Sequence, residues 1–470
     1  MRLFKHRNTI FAIPDRTATR HDKPCLKDCT IAFLTLQNLM CMKTTLLLLP
    51  LIAVASISAE EPFDTKKLSK IFNGKSLNGW HGNNPHTTDR AKEGNYKSLK
   101  AQQAEFLEHW TVAEGALVND GHGPYATTNR DYGDIEFTVD YKTVAKADSG
   151  IYLRGTPQVQ IWDHTNEASH KHGSDKGSGG LWNNAAGKPG KDPLVLADKA
   201  FGEWNKFHIR QLGARTWVWL NGKLVVDKAI MDNYWDRDVP LPARAPIHLQ
   251  THGGEISWKN IAIREVPGDE ANQLLRGSDE GFTSIFNGKD LTGWAGPVEN
   301  YEVVDGAIAC KAGKGGTLYH EDVLADFVVR LEFKVPENGN NGLAIRYPGK
   351  GNPAYDAMCE LQVLDNTGSK YATLDPRQYH GGAYGMAAAH VGYSRPVGEW
   401  NYQEVTVKGS TIKVELNGTV ILDTDLATLD PAKFMAGSKH PGLNLKEGHF
   451  GFAGHNDAVH FRNIAIKKLK

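Results

Sequence analysis

The sequence lacks several signals that would direct its function. Lys+Arg and Asp+Glu both number 54, so the formal net charge is zero. There is no basic footprint for nucleic acid or for an anionic membrane. No apolar run is long enough to cross a bilayer. Cysteine is scarce, with five in 470 residues, and three of them (Cys25, Cys29 and Cys41) precede a leader-like segment. Only Cys310 and Cys359 follow it, too few for a disulfide framework. They either pair or stay as buried thiols. No CxxC and no His-x3-His spacing marks a zinc site. Long helical periodicity is missing. Short helices are expected only near residues 97–108 and 426–435.

Glycine, by contrast, numbers 48, beside eleven Trp and fifteen Tyr. That mixture suits tight turns and aromatic surfaces. Met42-Lys-Thr-Thr opens an apolar run from Leu46 to Ile57 that ends in Ser58-Ala59-Glu60. A positive start, a short apolar stretch and small residues before a charge are the parts of a secretion signal. Residues 42–59 therefore read as a signal peptide, and residues 1–41 as an over-extended start or a long n-region. The expected location is secreted or periplasmic.

The remainder says nearly the same thing twice. Phe72-Asn-Gly-Lys-Ser-Leu-Asn-Gly-Trp80 returns as Phe286-Asn-Gly-Lys-Asp-Leu-Thr-Gly-Trp294. Gly202-Glu-Trp-Asn205 returns as Gly398-Glu-Trp-Asn401, Leu220-Asn-Gly222 as Leu416-Asn-Gly418, and Lys259-Asn-Ile-Ala-Ile263 as Arg462-Asn-Ile-Ala-Ile466. The order is kept at offsets of a whole domain, far above the period of a solenoid. The chain is a tandem duplication. Its expected parts are a first domain over 60–266, a polar linker over 267–281 and a second domain over 282–470.

Strand signals dominate both halves. Asp134 to Tyr141 and Phe327 to Val335 alternate with period two. Thr216–Asp227 reads as a hairpin around Asn-Gly, the type I′ pair, and Thr411–Asp423 repeats it. Many short strands with Gly-rich turns predict an all-β chain of two tandem β-sandwich (jelly-roll) domains. The last strand of each should lie beside its first.

Several polar residues recur at matching positions. Arg154 and Arg346 end apolar strands, so each is either a fork of donors for a sugar or a structural ion pair. Gln158, Gln160 and Trp162 share one strand face, as do Glu360, Gln362 and Leu364. Glu360 is a candidate acid, base or metal ligand, and its counterpart Gln158 cannot transfer protons. In the Gly-rich loops Trp182 stands opposite Tyr384, and Ser178 opposite His380. Either aromatic is a sugar platform or a packing anchor. His252 and His455 precede the two closing strands. Domain one also has Asn233-Tyr-Trp-Asp-Arg237, whose Trp235 is a further platform candidate.

This ordered set resembles the 3-keto-disaccharide hydrolase domain family, across about 67–266 and 283–469. The resemblance implies a concanavalin A-like jelly roll in each half. It also implies action on glycosides already oxidised to a ketone at sugar C3. Such a substrate needs no carboxylate pair. Its carbonyl acidifies the C2 proton, so a base can form an enolate that expels the C1 substituent, after which water adds. His380, His455 and Glu360 are then the base and acid candidates in domain two. Arg346, or a divalent metal held by Glu360 and His380, is the electrophile candidate. In domain one His252 and His172 are the acid and base candidates. Arg154, Gln160, Trp182, Trp235, Arg346, Gln362 and Tyr384 are the substrate-binding candidates. The implied partners are a carbohydrate and a separate sugar 3-oxidoreductase. The alternatives are a tandem carbohydrate-binding protein without catalysis and an adhesive surface protein, because sandwiches host all of these.

Overall fold

The computed structural model describes residues 62–470. The leader and everything upstream of it lie outside the described residues. The described chain is one compact unit built from four antiparallel sheets, two in each half. It is all-β, two β-sandwiches of jelly-roll type in tandem.

In domain one the backing sheet runs Lys223–Ile230, Arg215–Leu220, Asn205–Leu212, Ile135–Thr143, Ile256–Glu265, Ala116–Asn119, Trp110–Ala113. Ser69–Lys70 pairs with Ile256–Glu265, so the first and last strands are neighbours. The second, floor sheet runs Trp80–Gly82, Ala126–Thr128, His248–Leu249, Asp148–Leu153, Thr156–Trp162. Domain two repeats both orders. Its floor sheet runs Trp294–Ala295, Gly315–His320, His449–His455, Asn340–Tyr347, Cys359–Leu364, and Thr283–Ser284 pairs with the closing strand His460–Lys468.

Period-two alternation sorts the floor strands. Ile151, Leu153, Val159 and Ile161 are buried against the backing sheet. Asp148, Gly150 and Tyr152 on one strand, and Gln158, Gln160 and Trp162 on the next, take the opposite face. Each domain has its own apolar core. Both Asn-Gly hairpins form as read: Asn221 and Gly222 have φ of 52° and 79°, and Asn417 and Gly418 have 48° and 82°, the two positive values a type I′ turn needs. Cys310 and Cys359 are buried, unpaired thiols.

Two local expectations change. Residues 268–276, read as part of a polar linker, form the helix Gly268–Arg276. Ala271 and Leu275, one turn apart, are buried, and Asp269 and Glu270 lie in its first turn where the helix dipole favours acid. With Leu212, Trp217, Val266 and Tyr402 they make a third apolar cluster, between the domains. Beside it the tip of the domain-two hairpin docks on the turn after Leu212. Ala214 N–H donates to Gly418 O at 3.0 Å, and Arg215 pairs with Glu415. The helix expected at 426–435 is instead a series of 3-10 turns, Leu426–Thr428, Pro431–Lys433 and Met435–Gly437. Pro431 interrupts the ladder, and Asp425 and Asp430 each cap a fresh turn. The expected helix near 97–108 is present as Leu99–His109, capped by the Ser98 hydroxyl.

Candidate functional site

Domain one opens a cleft of about 450 Å³ over its floor sheet. The register places Asp148 opposite Trp162 and Gly150 opposite Gln160. Gln160 Nε2 donates to Asp148 Oδ1 at 2.8 Å and to Ser149 O at 3.1 Å, while Gln158 donates to Gln160 Oε1. The other Asp148 oxygen lies 3.3 Å from His252 Nδ1. That carboxylate, as hydrogen-bond partner, holds His252 above the usual imidazole value despite partial burial.

Aromatic side chains wall both ends of this cleft. Trp162 and Trp182 meet edge to face with centroids 6.3 Å apart, beside His172. At the other end stand Tyr125, Tyr152, Tyr234 and His86. The Tyr125 and Tyr152 rings are 5.3 Å apart. Gln250 Nε2 donates to both of their hydroxyls at 3.4 Å, and the Tyr152 hydroxyl lies 3.1 Å from His86 Nε2. Burial raises both phenols, so each stays protonated at neutral pH.

Domain two has a second cleft, of about 440 Å³, lined by Glu360, His455, Tyr319, Tyr347 and several glycines. Glu360 is buried, and its chain folds across Gly342 of the neighbouring strand. A Cβ at that glycine would lie 2.1 Å from Glu360 Oε1. His455 Nε2 is 3.5 Å from Glu360 Oε1, and this carboxylate raises its pKa. Other floor positions are reduced. Ala344 stands where domain one has Tyr152, Ala453 where it has Gln250, and Leu364 where it has Trp162.

The structure therefore gathers His252, His172, Gln160 and Trp182 in one cleft, and Glu360 with His455 in the other. Trp235 borders the first: its ring is 4.8 Å from His86, and its indole N–H donates to Gly155 O at 2.8 Å.

Five other candidates are placed elsewhere. Arg154 and Arg346 do not reach a cleft as donor forks. Both have left-handed backbones, φ 50° and 51°, which take them out of the strand alternation. Arg154 binds Asp134 at 2.7 Å and the carbonyl of Ala243. Arg346 binds Asp326 at 2.8 Å and the carbonyls of Ala325, Gly409 and Leu445. Both are buried structural ion pairs. His380 is likewise not beside Glu360. It lies between the sheets, stacked on Phe333 at 4.8 Å, with Nε2 2.9 Å from Gln403 Oε1. Burial holds its pKa down to about 4. Gln362 donates to Asn340 Oδ1 at 2.6 Å and braces the floor from within. The Tyr384 hydroxyl accepts from Gln378 at 3.1 Å, outside the cleft lining.

The divalent-metal expectation rested on Glu360 and His380 together, and this geometry does not fit it. The Leu364 N–H approaches His380 Nδ1 at 3.4 Å, so both ring nitrogens face protein partners. Among the described residues no three His, Cys, Asp or Glu side chains converge as a metal cage would require.

Sequence reasoning passed over Asp148, Tyr152, Tyr125, Gln250, Tyr234 and His86. Two signals pointed to some of them. Asp148 and Tyr152 flank Gly150 at the strand period, on the face of Gln160. His86 lies in an insertion: Trp80 and Trp110 are thirty positions apart, whereas Trp294 and Tyr301 are seven apart.

Two tandem β-sandwiches, each with one histidine–carboxylate pair in a cleft over its floor sheet, define the class. The chain belongs to the 3-keto-alpha-glucoside-1,2-lyase-like domain family, whose profile matches residues 67–264 and 281–467. It is 29% identical over 229 residues to a Bacteroides thetaiotaomicron protein named 3-keto-disaccharide hydrolase, covering 40% of this chain and 79% of that one. Solved structures similar to it include two Parabacteroides distasonis proteins described as glycosyl hydrolases. They are 24% and 23% identical and cover 41% and 40% of this chain, and 95% and 99% of their own, with TM-scores of 0.35 and 0.37. A Bacillus subtilis carbohydrate-binding module matches at 15% identity over 40% of this chain and 96% of its own, with a TM-score of 0.21.

Proposed function

We propose that this chain is a carbohydrate-cleaving enzyme that acts on glycosides bearing a ketone at sugar C3, by elimination followed by hydration, in the domain-one cleft. The supporting observation is that each cleft lining holds a histidine with a single carboxylate and no second acid. An ordinary glycosidase sets two carboxyl groups about 5–5.5 or 6.5–9.5 Å apart around the scissile bond. A 3-keto-glycoside does not need the second. Removing the C2 proton sends its electron pair toward C3 as an enolate. The enolate then expels the C1 oxygen, which takes a proton from an acid. Water adds at C1 and a proton returns to C2, leaving a keto sugar and an alcohol.

His252 suits the acid role, since Asp148 keeps it protonated further into the neutral range. The Tyr125 hydroxyl suits the C3 oxygen, because it accepts from Gln250 and keeps its own proton to donate. Gln158 Oε1 and Gln250 Oε1 are buried without protein partners among the described residues. Sugar hydroxyls would satisfy both. Trp182 and Trp162 offer ring faces to the pyranose. A sugar 3-oxidoreductase would have to supply the ketone, and the leader at 42–59 supports export. For domain two, the smaller residues at 344, 364 and 453 favour a binding role.

The test compares 4-nitrophenyl β-glucoside with its 3-keto derivative on the intact chain. Release from the keto form alone is expected. Equal release from the unoxidised glucoside would overturn the proposal.

A further inference from the structure

We infer that His86 and Tyr152 form the relay that accepts the C2 proton in domain one. This rests on the elimination reading above and names the group that reading leaves open. The Tyr152 oxygen accepts from Gln250 Nε2 at 3.4 Å, so its own proton is left to donate. In the tautomer that carries its proton on Nδ1, His86 presents Nε2, 3.1 Å away, as an acceptor for that proton. As the phenol oxygen takes the C2 proton, the phenol proton passes to His86. No free tyrosinate forms, so the raised phenol is no obstacle. One proton leaves carbon, one arrives on imidazole, and the electron pair stays on the sugar.

The placement fits adjacent sugar carbons. The Tyr125 and Tyr152 hydroxyls both lie 3.4 Å from one amide nitrogen. A C3 carbonyl on the first therefore brings C2 toward the second. His252 sits against Asp148, which begins the strand that carries Tyr152 four residues further on, roughly 13 Å along the backbone. Proton acceptor and proton donor thus approach the ring from different ends. His172 is less suited to the relay, because it is exposed at the Trp182 rim.

His86 also has the right protonation state. Burial, then the charges of His252 and Lys92, hold it below the usual imidazole value, so it is neutral and can accept. The other groups facing it are Tyr125, Tyr152 and Tyr234, with His248 behind the two buried tyrosines and Arg90 over the adjoining Trp235 ring. Domain two lacks the whole device. Its chain passes from Trp294 to Tyr301 without the insertion, and Ala344 and Ala453 replace Tyr152 and Gln250.

The experiment measures kcat, KM and their pH dependence on the 3-keto-glucoside for the intact chain, H86Q, Y152F and the double variant. Each single change should lower kcat about 100-fold or more, the low end of acid–base contributions, with KM within about threefold. The double variant should be no slower than the singles, because the pair acts as a unit. H86Q should lose the acid limb of the wild-type profile, which a merely structural histidine would not remove. Full kcat in both singles, multiplying losses in the double, or an unchanged acid limb would overturn the relay while leaving the function intact. No cleavage by the unmodified chain would overturn both. Y152F preserves the buried shape, so it carries the test if H86Q does not fold.

Discussion

The imidazole of His252 rests 3.3 Å from Asp148 on one floor strand, whereas its counterpart His455 has Nε2 3.5 Å from Glu360 on the adjacent strand. The acid and amide positions have been exchanged. Domain one has Asp148 with Gln158, and domain two has Asn340 with Glu360. The bracing amide is the same in both, since Gln160 donates to Asp148 Oδ1 and Gln362 to Asn340 Oδ1. Each cleft therefore keeps one carboxyl group beside its histidine, delivered from a different side. The two sites are descendants of one plan and not copies of one mechanism.

Asp148→Asn tests the first of these pairs. Asp148 is the main cause of the raised His252 pKa. Its removal should move the alkaline limb of kcat to lower pH, because His252 must be protonated to act as acid. The acid limb should stay in place. A pH–rate profile checks this, and an unmoved alkaline limb would separate His252 from the acid role.

Gly342→Ala tests the second. The new Cβ would fall 2.1 Å from Glu360 Oε1, so the carboxylate must leave His455. Domain-one turnover should be unaffected. Sugar binding to the second cleft, counted by calorimetry, should weaken at least tenfold. Two unchanged sites would show that the Glu360–His455 pair does not hold sugar.

Arg346→Met separates structure from binding. Removing one member of a buried ion pair costs about 3–5 kcal/mol. The low end is expected here, because the Asp326 side chain keeps 32% of its surface in water. The loss should appear in urea unfolding, with sugar affinity at the second cleft unchanged in calorimetry. A large loss of that affinity without a stability loss would restore the donor-fork reading.

Acid should destabilise the fold through His380. Its folded pKa is held down to about 4 by burial. Below the unfolded value near 6.5, the unfolded chain takes up a proton that the folded chain refuses. The contribution is whole above about pH 6.5 and is lost as pH falls toward 4, by up to ~1.4 kcal/mol per pH unit. His380→Gln should flatten that slope in urea titrations run at successive pH values.

Much of the scaffold was legible in the sequence. The repeated motifs, the alternation at 134–141 and 327–335 and the paired Asn-Gly turns encode local geometry, so sheets and hairpins could be read directly. The site was only half legible. His252, Gln160, Glu360 and His455 were visible because they recur at matched positions. Arg154 and Arg346 recur as well, but for stability. Their left-handed backbones, which no motif announces, turn them inward. His86 was invisible to a comparison of repeats because it lies in the insertion that only domain one has. The helix at 268–276 escaped because its buried positions, Ala271, Asn272 and Leu275, are few and one is polar.

The most direct test of elimination is to run the cleavage of a 3-keto-glucoside by the intact chain in D2O and quench early. NMR then reads C2 of the released keto sugar. Elimination and hydration predict deuterium at C2 in each product molecule, above the exchange seen without enzyme. A product released at the same rate with its C2 proton intact would mean direct displacement at C1, and would contradict the account.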